Sequence, residues 1–70
     1  MTANLSDIPL TSKELQALAW TAAGKTAVQT GELMFLSART VNFHISSAIS
    51  KLGAANKTAA AVIAVRAGWI

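Results

Sequence analysis

The sequence predicts an all-α fold, a bundle of four short helices, and three observations carry that prediction. Four residues suited to capping a helix, Thr11, Thr26, Ser37 and Asn56, each precede a stretch in which apolar residues recur at helical spacing. Gly24 and Gly53 close the first and third of these stretches, where a chain commonly leaves a helix by a left-handed turn. A length of 70 residues allows one small domain, so the helices have to pack on one another around little interior.

Met1 to Pro9 show no period and end in a proline that turns Ile8 away from helical geometry. This predicts a flexible arm or linker remnant over 1–9 and an ordered domain over 10–70. Thr11, Ser12, Lys13 and Glu14 spell a capping box: the Thr11 hydroxyl can accept from the Glu14 amide while the Glu14 carboxylate reaches back. Leu10 is placed to staple onto Leu15. Leu15, Leu18, Ala19 and Ala22 then supply a core stripe, with Trp20 beside it.

Thr26 and Gln29 repeat the box in its glutamine form. They open a second helix that runs through Val28, Leu33 and Met34 to about Phe35. Gly31 inside it costs about 1 kcal/mol relative to alanine. Its presence predicts that another backbone passes close by. Only Phe35 and Leu36 then precede Ser37, the short connection of a helix-turn-helix.

The third helix is bracketed by Ser37 and Gly53 and has about four turns. Val41, Ile45, Ala48, Ile49 and Leu52 form its apolar stripe, whereas Arg39, Asn42, Ser46 and Ser50 share a different side. Small hydrogen-bonding side chains on one face suit the major groove, where each base pair shows its own donor and acceptor pattern. A merely solvated amphipathic helix has the same periodicity, so the flanking motifs have to decide. Asn56 caps a last helix, Lys57 to Ala67, whose Ala59 to Val65 are apolar without a break. Three other short helices can cover only one side of it, and the remaining side predicts a self-interface, with dimerisation through this helix.

Composition narrows the function classes. Cysteine is absent and there is one histidine, which leaves no donor set for zinc and no disulfide. Six Lys and Arg against three Asp and Glu give a formal charge of +3, which permits an anionic partner. No apolar run reaches the roughly 18 residues of a spanning helix, and no basic-then-apolar signal opens the chain. A soluble chain in the cytoplasm, away from the membrane, is expected. Asp7, Glu14 and Glu32 fall in the arm, the capping box and mid-helix, with no paired carboxylates, so no enzyme is expected.

Several strings then acquire a common meaning. Leu10-Thr11 with Glu14, Trp20-Thr21-Ala22-Ala23-Gly24-Lys25-Thr26, Leu36-Ser37 with Thr40-Val41 and His44, Lys51-Leu52-Gly53, and Asn56-Lys57-Thr58 together resemble the LuxR-type (GerE-like) helix-turn-helix DNA-binding domain. The resemblance covers about Leu10 to Ile70. Its wording is most similar to the quorum-sensing branch, whose full-length members carry an N-terminal acyl-homoserine-lactone-binding domain.

The resemblance implies a four-helix domain that binds a dyad-symmetric promoter site as a homodimer, with the third helix in the major groove. Asn42, Phe43 and Ser46 match base-facing positions, with Arg39 on the same face. Thr26, Thr40, Lys51, Lys57 and Thr58 match or neighbour positions that approach phosphate. Ala59, Val62, Ile63 and Arg66 are the implied dimer contacts, RNA polymerase is an implied further partner, and no cofactor is implied. His44 is read as packing beneath the third helix. Relatives often carry Lys or Arg at one of the positions held here by Asn42 and Ser46, which predicts weaker binding by the lone domain. Gln29, Thr30 and Gly31 replace a common acid, aliphatic and alanine, which predicts a less stable second helix. The alternative function is an interaction module of this fold that pairs through its last helix with another regulator and inhibits it without binding DNA tightly.

Overall fold

Each cap and stop read from the sequence fixes one end of an element in the computed structural model, which describes residues 7–70. The helices are α1 (Ser12–Ala22), α2 (Ala27–Met34), α3 (Ala38–Leu52) and α4 (Lys57–Arg66), and the described residues contain no strand. Thr11 and Thr26 both close full capping boxes, with Glu14 and Gln29 returning to the cap amides. Ser37 accepts from the Thr40 amide at 3.1 Å and Asn56 from the Ala59 amide at 2.8 Å. α4 ends one residue earlier than expected, with Ala67 as its C-cap.

The core has two parts. Leu10, Leu18, Ala48, Ala60 and Ala64 join α1, α3 and α4, and Ala17, Met34, Val41 and Ile45 join α1, α2 and α3. Ile49 packs against both. α1 is therefore sandwiched between α2 and α4 and buries two faces, which corrects its expected stripe: Ala17 is wholly buried and Ala22 is exposed. The α3 stripe follows expectation, with Val41, Ile45 and Ala48 buried and Ile49 and Leu52 half-buried. Residues 1–6 of the expected arm lie outside the described residues. Ile8, also assigned to that arm, packs against the core beside Leu10.

The turn between α2 and α3 explains Gly31. A Cβ there would collide with the Leu36 carbonyl oxygen and lie 3.3 Å from the carbonyl carbon of Ser37. The close backbone is thus the turn itself, tied down by the Leu36 amide donating to the Gly31 carbonyl at 2.8 Å. Phe35, expected as the last helical residue, instead makes the left-handed exit at φ 58°, a region that disfavours a side chain with a Cβ.

Candidate nucleic-acid interface

With Val41, Ile45 and Ala48 turned inward, the 100° step of an α-helix leaves Arg39, Asn42, Phe43, Ser46 and Ser50 on one outward stripe. All five are exposed, and Phe43 is 67% accessible. The Phe43 ring meets the half-buried His44 edge-on, with centroids 5.7 Å apart, so the phenyl group has a fixed platform. The stripe offers an amide, hydroxyls, one guanidinium and an aromatic edge. No part of it belongs to either core cluster.

The residues assigned to phosphate are distributed over three helix starts and one helix end. Thr26 caps α2 and is exposed; Lys57 and Thr58 occupy the exposed first turn of α4. Thr40 is half-buried in the first turn of α3, where its oxygen accepts from the Ser37 hydroxyl at 3.0 Å. Its own O–H remains available to donate. Helix starts present unpaired amides and positive dipole ends, so hydroxyls and a lysine there add to an anion-attracting rim.

Lys51 is placed differently. Its Nζ donates to Oε1 of Glu14 at 2.9 Å, with the lysine side chain 39% exposed and the glutamate side chain 4%. The same Oε1 accepts the Thr11 amide at 2.8 Å. Burial pushes the Glu14 pKa up, but the Thr11 amide, the Ser47 hydroxyl and Lys51 outweigh it and hold the carboxyl at about 2. The capping box placed the Glu14 carboxylate on its own helix start, and nothing in the sequence linked it to a lysine 37 residues away.

On α4, Ala60, Ala61 and Ala64 face the core, while Val62, Ile63 and Val65 are 43%, 36% and 51% exposed. Ala59, Val62, Ile63 and Arg66 share the outer side by helical spacing, with Ala59 half-buried and the other three exposed. An open groove of about 330 Å³ flanks this side, lined by Thr21 and Ala22 of α1 and by Thr58, Ala61, Val62, Val65 and Arg66 of α4. No group of three or more His, Asp or Glu able to hold a metal occurs among the described residues, and no described helix is long and apolar enough to cross a membrane.

A short turn delivering a capped helix with a bare polar face defines the helix-turn-helix class. Residues 8–64 match the family model GerE, "Bacterial regulatory proteins, luxR family". The transcriptional activator protein SolR of Ralstonia solanacearum is 45% identical over 65 residues, which is 93% of this chain and 28% of SolR. The transcriptional repressor ThaA of Burkholderia thailandensis is 49% identical over 57 residues, 81% of this chain and 24% of ThaA. The HTH-type quorum sensing-dependent transcriptional regulator RpaR of Rhodopseudomonas palustris is 44% identical over 61 residues, 87% of this chain and 25% of RpaR. The chain belongs to the LuxR family of bacterial regulatory proteins and is a helix-turn-helix DNA-binding domain of that family, not an enzyme. It spans about a quarter of the length of these relatives.

Proposed function

We propose that this chain binds a dyad-symmetric promoter site in the cytoplasm as a homodimer, serving as the output domain of a quorum-sensing regulator. α3 enters the major groove, and α4 pairs with its counterpart so that two half-sites about 34 Å apart are read together. The observation that carries this reading is the outward stripe of α3, which is exposed along its length yet rich in groups that recognise base edges. Asn42 reads adenine through its amide, Phe43 contacts a thymine methyl, and Ser46 and Arg39 extend the stripe. Thr26, Thr40, Lys57 and Thr58 fix the register on phosphate. Ala59, Val62, Ile63 and Arg66 form the pairing surface, and RNA polymerase is the neighbouring protein at the promoter.

The test is selection of duplexes from a random library, followed by mobility shift of the winners over a salt series. Enrichment of inverted repeats, with affinity that falls steeply as salt rises, supports the reading. Salt-independent retention, or no retention at high protein concentration, contradicts it. A second reading has its own support, because Arg39 is the one cation on the α3 stripe while α4 exposes three apolar side chains. In that reading the chain pairs with another LuxR-family regulator and disables it. Absence of DNA retention together with a mixed complex, formed with the corresponding domain of a relative such as SolR and seen by sedimentation, favours it.

A further inference from the structure

We propose that Lys51 serves DNA recognition as a positioning residue, clamping the end of α3 to the start of α1 through the Glu14 carboxylate. This rests on the reading that α3 enters the groove. Lys51 lies in the last turn of α3, about 120° round the helix from Arg39 and away from the stripe. Its ammonium lies 2.9 Å from a carboxylate that is almost wholly buried. A buried carboxylate stripped of its cation is strongly unfavourable, so the pair holds Lys51 in place.

The anchor on the other side is rigid. Glu14 is tied twice into the first turn of α1, by accepting the Thr11 amide at 2.8 Å and by donating its own amide to the Thr11 hydroxyl at 3.2 Å. Ser47, one turn before Lys51 on the same side of α3, also lowers the carboxyl pKa. At its opposite end α3 leaves the tight turn packed on Gly31. The helix is therefore held at both ends, and the clamp sets the tilt at which Asn42 and Ser46 stand above the bundle. A lysine engaged this way contributes to affinity through geometry and not through counterion release.

The test combines two readouts on the folded chain. Lys51→Met, Lys51→Arg, Lys57→Ala and the double variant Glu14→Gln/Lys51→Met are titrated with the selected duplex over a salt series. Amide residual dipolar couplings, recorded without DNA, give the orientation of α3 relative to α1. Lys51→Met is expected to weaken binding roughly tenfold, as loss of one base contact would. Its salt slope should match the parent's, whereas Lys57→Ala lowers the slope by about 0.9. The couplings of α3 should fit a changed orientation in Lys51→Met and the parent orientation in Lys51→Arg, with affinity recovered.

The double variant leaves no buried charge unpaired, so it keeps the test open where Lys51→Met does not fold. It should bind no more weakly than Lys51→Met and show the same reorientation. A slope lowered by about 0.9 in Lys51→Met with unchanged couplings would make Lys51 a phosphate contact and overturn the proposal. Unchanged couplings and unchanged affinity would overturn it as well, leaving a pair that only stabilises. A parent chain that retains no duplex refutes the proposed function instead, and the couplings alone then decide whether the clamp exists.

Discussion

The outer faces of α3 and α4 are both exposed, and they are opposites. α3 presents Arg39, Asn42, Ser46 and Ser50 around one phenyl ring; α4 presents Val62, Ile63 and Val65 beside Arg66. Apolar surface gains about 25 cal/mol for each Å² it buries, so the α4 face is stabilised by covering it with a similar face. The α3 face gains almost nothing from such burial, because an amide or hydroxyl removed from water has to find a new hydrogen bond. Two unpartnered helix faces in one small domain thus call for different partners, and the difference lies in hydrogen-bonding capacity and not in exposure.

The strongest way to break this contrast is to make the α4 face resemble the α3 face. Val62→Asp places a charge in the proposed pairing surface and should abolish the proposed dimer in sedimentation. Binding to a full dyad should fall by on the order of 100-fold or more, while binding to a half-site is unchanged, since only the linkage of two half-sites is lost. Equal losses on dyad and half-site would show that α4 does not link the two half-sites.

The next effect comes from acid, through the Glu14 carboxylate that supports α3 from behind. Its folded pKa of about 2 lies below the ordinary 4.5, so the unfolded chain takes up the proton first. The stability it supplies is complete above 4.5 and is lost as pH falls through 4.5 toward 2. The contribution is on the order of 3 kcal/mol. Thermal melts between neutral and acid pH check it, and Glu14→Gln should flatten that part of the profile.

Asn42→Ala sharpens the comparison from the polar side. Discrimination at one base pair should drop by about 1–3 kcal/mol in competition against base-substituted duplexes, with the dimer intact. The smallest expected effect is on stability. The Thr30 hydroxyl is buried in α2 with no hydrogen-bond partner, so Thr30→Val should raise stability by about 1–2 kcal/mol. A melting temperature higher by several degrees, with DNA affinity unchanged, checks it.

Most of the fold was legible because the caps are local. Thr11 with Glu14 and Thr26 with Gln29 are bonds between residues three apart, and the helical period of Val41, Ile45 and Ala48 pointed to the buried side of α3. Gly31 likewise announced a neighbour through the conformational cost that its presence implies in a helix. Three features were not legible. Phe35 takes the left-handed exit usually marked by glycine, so no residue type signalled it. Ala17 is buried only because α1 lies between two helices, an arrangement that one period along one helix does not encode. The Glu14 to Lys51 pair joins positions whose separation in the sequence hides their contact. The outward stripe of α3 was readable as a face, whereas its proposed use on DNA depended on the motifs around it.

In the proposed function the polar stripe of α3 meets DNA while the apolar side of α4 meets protein. Amide chemical-shift mapping of the labelled chain, titrated with a selected dyad duplex at a concentration where it is already dimeric, tests this most directly. The largest shifts are expected at Arg39, Asn42, Phe43 and Ser46, smaller ones at Thr26, Thr40, Lys57 and Thr58, and none at Val62 and Ile63. Shifts centred on Val62 and Ile63, with the α3 stripe unmoved, would contradict it.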